Sequence, residues 1–298
     1  MNQKVIAEVS CKLCRNDQVT FLYQSRRYGF QVGRCSTCGL TFVLDRIAEG
    51  QLKEMYDDEQ SFEQFSDLMN NARVRDRHHR SLHEIQQFLQ GSSSPARLFD
   101  IGAGSGEFLN QAREFGFEVY GSELSDAAIC SAHRRYNITL SPLPLEQELR
   151  TDFFDVVTMW GLIEHVLDPL SIIKQAFRLL RGGGILYIYT PVWCLYDDIG
   201  LRCAQLCGWT RLLDRRINLA HLQLFSKESM RKTLAAIGFE LCRMEVVCEY
   251  NLPVTAYLES LGVPTRVRSS FASALEWLMD RGLFFRNNMR VFCRKPLA

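Results

Sequence analysis

The chain has 298 residues, with 35 Lys and Arg against 34 Asp and Glu, a net charge of +1, and 47% hydrophobic residues. This is the composition of an ordinary globular protein of one large domain with an appendage, or of two domains. It excludes a disordered or collagen-like chain, and so balanced a charge argues against a general nucleic-acid binder. No apolar run is long enough to span a bilayer, and MNQKVIAEVS lacks the apolar core of an export signal. With eleven cysteines, an odd number, a disulfide framework is not expected, and the chain reads as cytoplasmic.

Cys11-Lys-Leu-Cys14 and Cys35-Ser-Thr-Cys38 stand twenty residues apart. That spacing is the pattern of a structural zinc ribbon: each tight turn presents two thiolates, and four thiolates close a tetrahedral ion. Thr20–Tyr23 and Tyr28–Val32 read as its strands, which gives a module over residues 1–47. The other seven cysteines read as small buried hydrophobes.

Residues 48–94 read as a helical linker. Ala48–Phe65 is acidic and partly helical. Asp67–Gln90 carries Leu68, Val74, Leu82, Ile85 and Leu89 on a broken apolar stripe, with His78 and His79 on a solvated basic face. A metal or nucleic-acid role for those two histidines is the alternative. Gly91-Ser-Ser-Ser-Pro95 marks a hinge.

From residue 95 the pattern alternates strand and helix, as in an α/β fold. A strand at 96–101 runs into Gly102-Ala103-Gly104-Ser105-Gly106 and a helix at Glu107–Phe115. A glycine loop that opens a helix lets backbone N–H groups approach a polar or anionic ligand. The next strand, 117–122, ends in Glu123, twenty-one residues after Gly102, where a carboxylate suits ribose hydroxyls, so a nucleoside-containing cofactor is indicated. A helix at 126–136 follows, then strands at 138–140 and 154–159 and a helix at 171–180. Arg181-Gly182-Gly183-Gly184 breaks into a strand at 185–189. A helix at 227–237 and strands at 239–247 and 288–294 complete seven strands. Residues 193–218 and 251–287 are insertions. The first mixes apolar residues with Arg202, Arg211, Arg215 and Arg216. It reads as an amphipathic lid, with a peripheral membrane contact as the alternative. The second reads as core or homodimer surface.

These motifs together resemble class I S-adenosylmethionine (SAM)-dependent methyltransferases. Phe99–Leu109 is similar to the family's first motif and Tyr120–Ser125 to its ribose motif. Phe154–Trp160 with Leu162–Val166 and Asp168-Pro169 resembles its fourth-strand motif, and Leu179–Gly184 the turn before its fifth strand. Ala220–Ser226 with Gly238-Phe239 resembles its "HLYHFS … AGF" segment. A subgroup of the family carries a "CxxC…CxxCG" zinc ribbon. The resemblance implies a Rossmann-like, seven-stranded sheet with helices on both faces behind a small zinc ribbon. It implies that Asp100, Gly102, Ala103, Gly104 and Gly106, followed by Phe108 and Leu109, hold the methionine end of SAM. By the same resemblance Glu123 holds the ribose, Leu124 covers the adenine with Pro142 or Leu143 nearby, and Met159, Trp160 and Gly161 line the sulfonium.

Methyl transfer needs alignment of donor and acceptor, and a base only where the acceptor must lose a proton. His165 and His221 fall near the carboxyl ends of strands, where such sheets bind ligands. Each is a candidate base, with a structural role as the alternative, and Glu164 is a candidate positioning group. A second metal site of Glu164, His165 and His221 is the remote reading. The expected acceptor is a small biosynthetic intermediate, methylated on oxygen in preference to carbon or nitrogen; the resemblance to the ribbon-bearing subgroup alone implies a sugar or polysaccharide precursor. An RNA or protein methyltransferase, and a non-catalytic SAM-binding scaffold, are the alternatives.

Overall fold

The computed structural model describes residues 9–45, 62–64, 66–67, 70–89, 95–142, 144–250, 253–281 and 286–297. Expectations for 48–61, for Leu68 and Leu143, and for the Gly91–Ser94 part of the hinge lie outside the described residues. The chain forms two compact units, each assembled from separated segments: Met1–Arg46, Pro191–Ser229 and Val246–Met289 in the first, and Ile47–Thr190, Met230–Glu245 and Arg290–Ala298 in the second.

In the first unit β1 (Val19–Gln24), β2 (Gln31–Cys35), β3 (Thr41–Val43) and the short β8 (Gln223–Leu224) form an antiparallel sheet in that order. The second strand starts later than its aromatic residues suggest. Ser25 N–H donates to Phe30 O and Gly29 N–H to Ser25 O, which closes a turn that holds Arg26 and Arg27 at its tip. The stretch at 193–218 folds into α5 (Leu195–Cys207) and α6 (Arg211–Asp214). That at 251–287 folds into α8 (Val254–Ser260) and α9 (Thr265–Asp280), which pack through Val254, Leu258 and Ala272. The buried Asp197 carboxylate accepts from Arg216 at 3.0 Å, and the same guanidinium donates to Val192 O and Asn287 O at 2.6 and 3.2 Å. One ion pair, extended by two carbonyl acceptors, thereby joins two of the unit's segments.

The second unit is built on a mixed sheet of six strands in the order β5-β4-β6-β7-β10-β9. They are β4 (Arg97–Ile101), β5 (Glu118–Ser122), β6 (Phe154–Trp160), β7 (Leu180–Pro191), β9 (Glu240–Val247) and β10 (Asn288–Arg294). The first four in chain order are parallel. Its helices are α1 (Ala72–Phe88), α2 (Glu107–Glu114), α3 (Asp126–Tyr136), α4 (Pro169–Leu179) and α7 (Lys227–Ile237).

The expected seven strands are six. Ile138–Leu140 adds no ladder: it ends in a single bridge, where Ser141 N–H donates to Gly121 O and Glu123 N–H to Ser141 O. Pro142 and Pro144 follow and bring no N–H to extend it. Ile138 and Leu140 are nonetheless buried in the core, so their apolar character reflects packing rather than pairing. Conversely β7 begins at Leu180 rather than Ile185, because Gly183 N–H and Gly184 O pair with Lys295. Asp155, fully buried, accepts from Arg181 Nε at 2.6 Å and from the Arg97 backbone at 2.8 Å, which pins β4, β6 and β7 together.

His78 departs from the solvated face expected of it. It is buried on α1 with Arg77, Ser81, Leu82 and Ile85, its ring 4.6 Å from Trp160 and 5.2 Å from Phe108. The basic run on this helix is therefore not one exposed face, because Arg77 and His78 are buried against aromatic rings.

Candidate functional site

In the second unit β4 ends in a loop where Gly102, Gly104 and Gly106 all take positive φ, at 71°, 53° and 75°. At Gly102 a Cβ would stand 2.7 Å from Leu162 Cδ1, whereas at Gly104 it would meet nothing within 4 Å. Gly102 is thus required by turn and packing, and Gly104 keeps the space beside its α-carbon clear. The following helix, α2, has Gly106 at its N-cap and no side-chain cap, so its first N–H groups stay available.

Glu123 closes the loop. Its Oε2 accepts the Gly104 N–H at 3.0 Å, and its Oε1 accepts Leu124 and Ser125 N–H at 2.7 and 3.0 Å. Leu124 beside it is 58% exposed. The carboxylate and the glycine loop, nineteen residues apart in sequence, meet at the carboxyl ends of β4 and β5.

Asp100 is buried at the end of β4 and accepts from Thr158 Oγ1 at 2.6 Å. Loss of solvent pushes its carboxyl up to about 8, the Thr158 hydroxyl works the other way, and the Glu123 charge adds to the rise. At neutral pH this carboxyl carries its proton.

Phe108 packs against Trp160 at 5.0 Å, and Trp160 against Tyr187 and Tyr189 at 5.0 and 5.2 Å. With His78, which burial pushes down to about 3 and so keeps neutral, these rings make an aromatic wall where β6 ends. Leu109 and Met159 have no exposed surface and lie in the core behind it. Gly161 has φ 56°, and a Cβ there would crowd Glu164 Oε1 at 3.3 Å. Glu164 is buried, accepts from Thr190 Oγ1 at 2.9 Å and lies 3.7 Å from the half-buried His165 Nε2. His221 belongs to the first unit, in a turn where Asn218 Oδ1 accepts its N–H at 3.0 Å.

The sequence missed Thr158, Thr190 and His78. A threonine inside an apolar strand and a histidine inside a basic run carry no pattern that assigns them a partner.

In the first unit the four patterned cysteines converge. Cys11 and Cys38 Sγ are 3.5 Å apart, Cys14 and Cys35 likewise, and all four fall within 4.8 Å of one another. A tight turn closes each Cys-x-x-Cys: Arg15 N–H donates to Cys11 O after Cys11–Cys14, and Gly39 N–H to Cys35 O after Cys35–Cys38. A tetrahedral ion with bonds of about 2.3 Å separates its sulfurs by roughly 3.8 Å, so the donor set fits zinc in type, number and spacing. The contact between the two sulfurs pulls the Cys11 thiol down and pushes Cys38 up. Without a cation the cluster cannot hold four thiolates.

An open α/β sheet with a glycine loop, an acidic residue after its second strand and a buried aspartate near the end of the first is the architecture of a nucleoside-cofactor site, and the family match makes the protein a SAM-dependent methyltransferase. The sequence profile of the family described as "Methyltransferase domain" matches residues 73–243, more than half of the chain, and the protein belongs to that family. It is 30% identical over 164 residues to a ubiquinone biosynthesis O-methyltransferase of Nitrosomonas europaea, over 48% of this chain and 68% of that one. With the corresponding Caulobacter vibrioides enzyme it shares 34% over 100 residues, 31% of this chain and 40% of that one. The chain thus spans about two thirds of the first relative and less than half of the second. The fold is shared with magnesium protoporphyrin IX methyltransferase of Synechocystis PCC 6803, solved with bound S-adenosylhomocysteine (SAH) (TM-score 0.55, 13% identity, 83% of this chain and 100% of that one). Among the described residues no helix is long and apolar enough to cross a membrane.

Proposed function

We propose that the chain methylates an oxygen of a small biosynthetic acceptor, and that its donor binds at the carboxyl ends of β4, β5 and β6. The observation that carries this reading is the junction of Glu123 with the Gly104 backbone. Three N–H groups fix that carboxylate in one rotamer, with about one of its four lone pairs left for a ribose hydroxyl. Leu124, exposed beside it, offers an apolar cover for a base. Asp100, Gly102, Ala103, Gly104 and Gly106 frame the methionine end, where the uncapped start of α2 suits a carboxylate. Phe108, Trp160 and Gly161 wall the reacting end, backed by Leu109 and Met159 from the core.

SAM supplies an electrophilic methyl group on a sulfonium. The protein's part is to align the acceptor oxygen, to exclude water with the aromatic wall, and to accept the acceptor's proton. His165 is the candidate base, with Glu164 oriented by Thr190 behind it; His221 is the second candidate. Oxygen as the methylated atom, and a small acceptor, are supported by the relatives named O-methyltransferases. The four cysteines are read as ligands of a structural zinc: a closed sphere of four thiolates leaves no position for a reacting water.

The test is calorimetric titration of the zinc-replete protein with SAM and with SAH. Micromolar binding is expected in the wild type, and a loss of at least tenfold in Glu123→Ala. Folded wild-type protein that binds neither ligand would overturn the reading.

A further inference from the structure

The first unit holds a cavity of about 620 Å³ that the methyltransferase motifs leave without a role. Four arginines line it: Arg26 and Arg27 from the turn between β1 and β2, and Arg211 and Arg215 from α6 and its end. No carboxylate among the described residues lies within ion-pair distance of any of them. Two acids line it as well: Glu259, which pairs with Arg268 at 3.2 Å, and the buried Asp214, whose Oδ2 accepts from Thr210 Oγ1 at 2.6 Å. Arg215 is held by its environment, stacked 4.6 Å over Tyr257 and donating to Tyr257 O, and burial lowers its affinity for its proton. Gly208, in the left-handed region, sits so close to the Arg26 guanidinium that a Cβ there would collide with it. Trp209 lines the same cavity with 41% of its surface exposed.

Four guanidiniums against the two carboxylates leave the lining with a surplus of two positive charges and a fan of donors. A bound anion would balance that surplus. A single carboxylate would leave half of it unbalanced, whereas a diphosphate carries enough charge to match it and enough oxygens to serve several guanidiniums. The exposed indole adds a flat face for a planar ring, and the volume lies in the range of small-ligand sites. The exposed apolar residues of α5, Leu195 and Leu206, are not among the lining residues, so nothing here extends the site toward a lipid chain. We propose that this cavity binds a nucleoside diphosphate group, with the phosphates on Arg26, Arg27, Arg211 and Arg215 and the base on Trp209. The turn of the cysteine-bearing module supplies half of those cations, which gives that module a part in ligand recognition. The site is argued from the first unit alone and does not depend on the methyltransferase reading.

The zinc-replete 298-residue protein is titrated by calorimetry with UDP, ADP, uridine, inorganic pyrophosphate and geranyl diphosphate. Both nucleoside diphosphates are expected to bind at micromolar concentrations and uridine not at all. Arg26→Ala/Arg211→Ala should weaken UDP at least tenfold. Trp209→Ala should weaken UDP and ADP while leaving pyrophosphate unchanged. Arg202→Ala, exposed on α5 and outside the cavity, is the control and should bind as wild type does. Thermal melting of each variant checks folding, and Arg27→Gln, an exposed position, serves if the double variant melts early. The proposal falls if no diphosphate binds at 1 mM, if Arg202→Ala weakens binding as much as the double variant, or if pyrophosphate or geranyl diphosphate binds as tightly as UDP. A SAM titration in parallel keeps the two readings apart: SAM binding without UDP binding overturns this one alone, and the reverse overturns only the other.

Discussion

Asp100 is the residue whose environment and chemistry are most closely tied. An unfolded chain ionises this carboxyl near pH 4, while the fold holds its proton up to about 8. Between those values the folded state carries a proton that the unfolded state has lost, so stability falls as pH rises, by up to about 1.4 kcal/mol per unit. Denaturation of the ligand-free protein at pH 5 and pH 8 should show this fall in wild type and not in Asp100→Asn. A cation placed beside Asp100 reverses the preference. SAM binding at pH 6.5, where the ligand's own amino group is already charged, should therefore release close to one proton. Titration in buffers of different ionisation enthalpy measures it, and Asp100→Asn should release none. Gly102 makes a second, purely steric case. A side chain there meets Leu162 at 2.7 Å in a backbone conformation that costs an L-residue about 1–2 kcal/mol before any clash. Gly104→Ala bears the same backbone cost without the clash, so Gly102→Ala should lower the melting temperature further than Gly104→Ala does, and Gly104→Ala should in addition weaken SAM binding.

At the scale of elements, α4 shows how termini are finished. Asp168 accepts the Ser171 N–H at its start. Lys295, reaching from beyond β10, donates to Phe177 O and Leu180 O, both at 2.8 Å, at its end. A cation on two C-terminal carbonyls is worth about 1 kcal/mol, so Lys295→Ala should reduce stability by that order in a denaturant titration, with SAM affinity unchanged. The glycine loop, Glu123 and the paired cysteines were legible from sequence because each rests on short-range geometry: a strand, a turn and a fixed number of residues. The elements that escaped depend on neighbours far along the chain. Ile138–Leu140 has a strand's composition but only one bridge to spend it on, and the glycines at 183–184 join β7 only because Lys295 lies opposite. His78 sits among charges in sequence and among rings in space, and only the position of Trp160 decides between them.

For the whole molecule, the division into two units gives each candidate ligand its own reporter. Chelation of zinc, or Cys35→Ser, removes the binding energy of a four-thiolate site, which in small zinc modules amounts to about 10 kcal/mol or more. Hydrogen exchange should then show loss of amide protection in β1–β3, with the protection of β4 and β6 retained. SAM should raise protection in the glycine loop and at the end of β5. Equal loss in both units on chelation would show that they do not open independently.

The order β7-β10-β9 also bears on synthesis. A ribosome makes β4, β5, β6, β7 and β9 before residues 288–294, yet β10 lies between β7 and β9, inside the sheet. Until that strand emerges, β7 presents a long apolar edge of unpaired backbone, and β9 has no neighbour from the sheet beside it. At roughly 5–20 residues per second the some forty residues between β9 and β10 keep that edge open for several seconds. The nascent chain is then most exposed to aggregation and to chaperones, and a stop codon just ahead of residue 288 would leave it in that state for good.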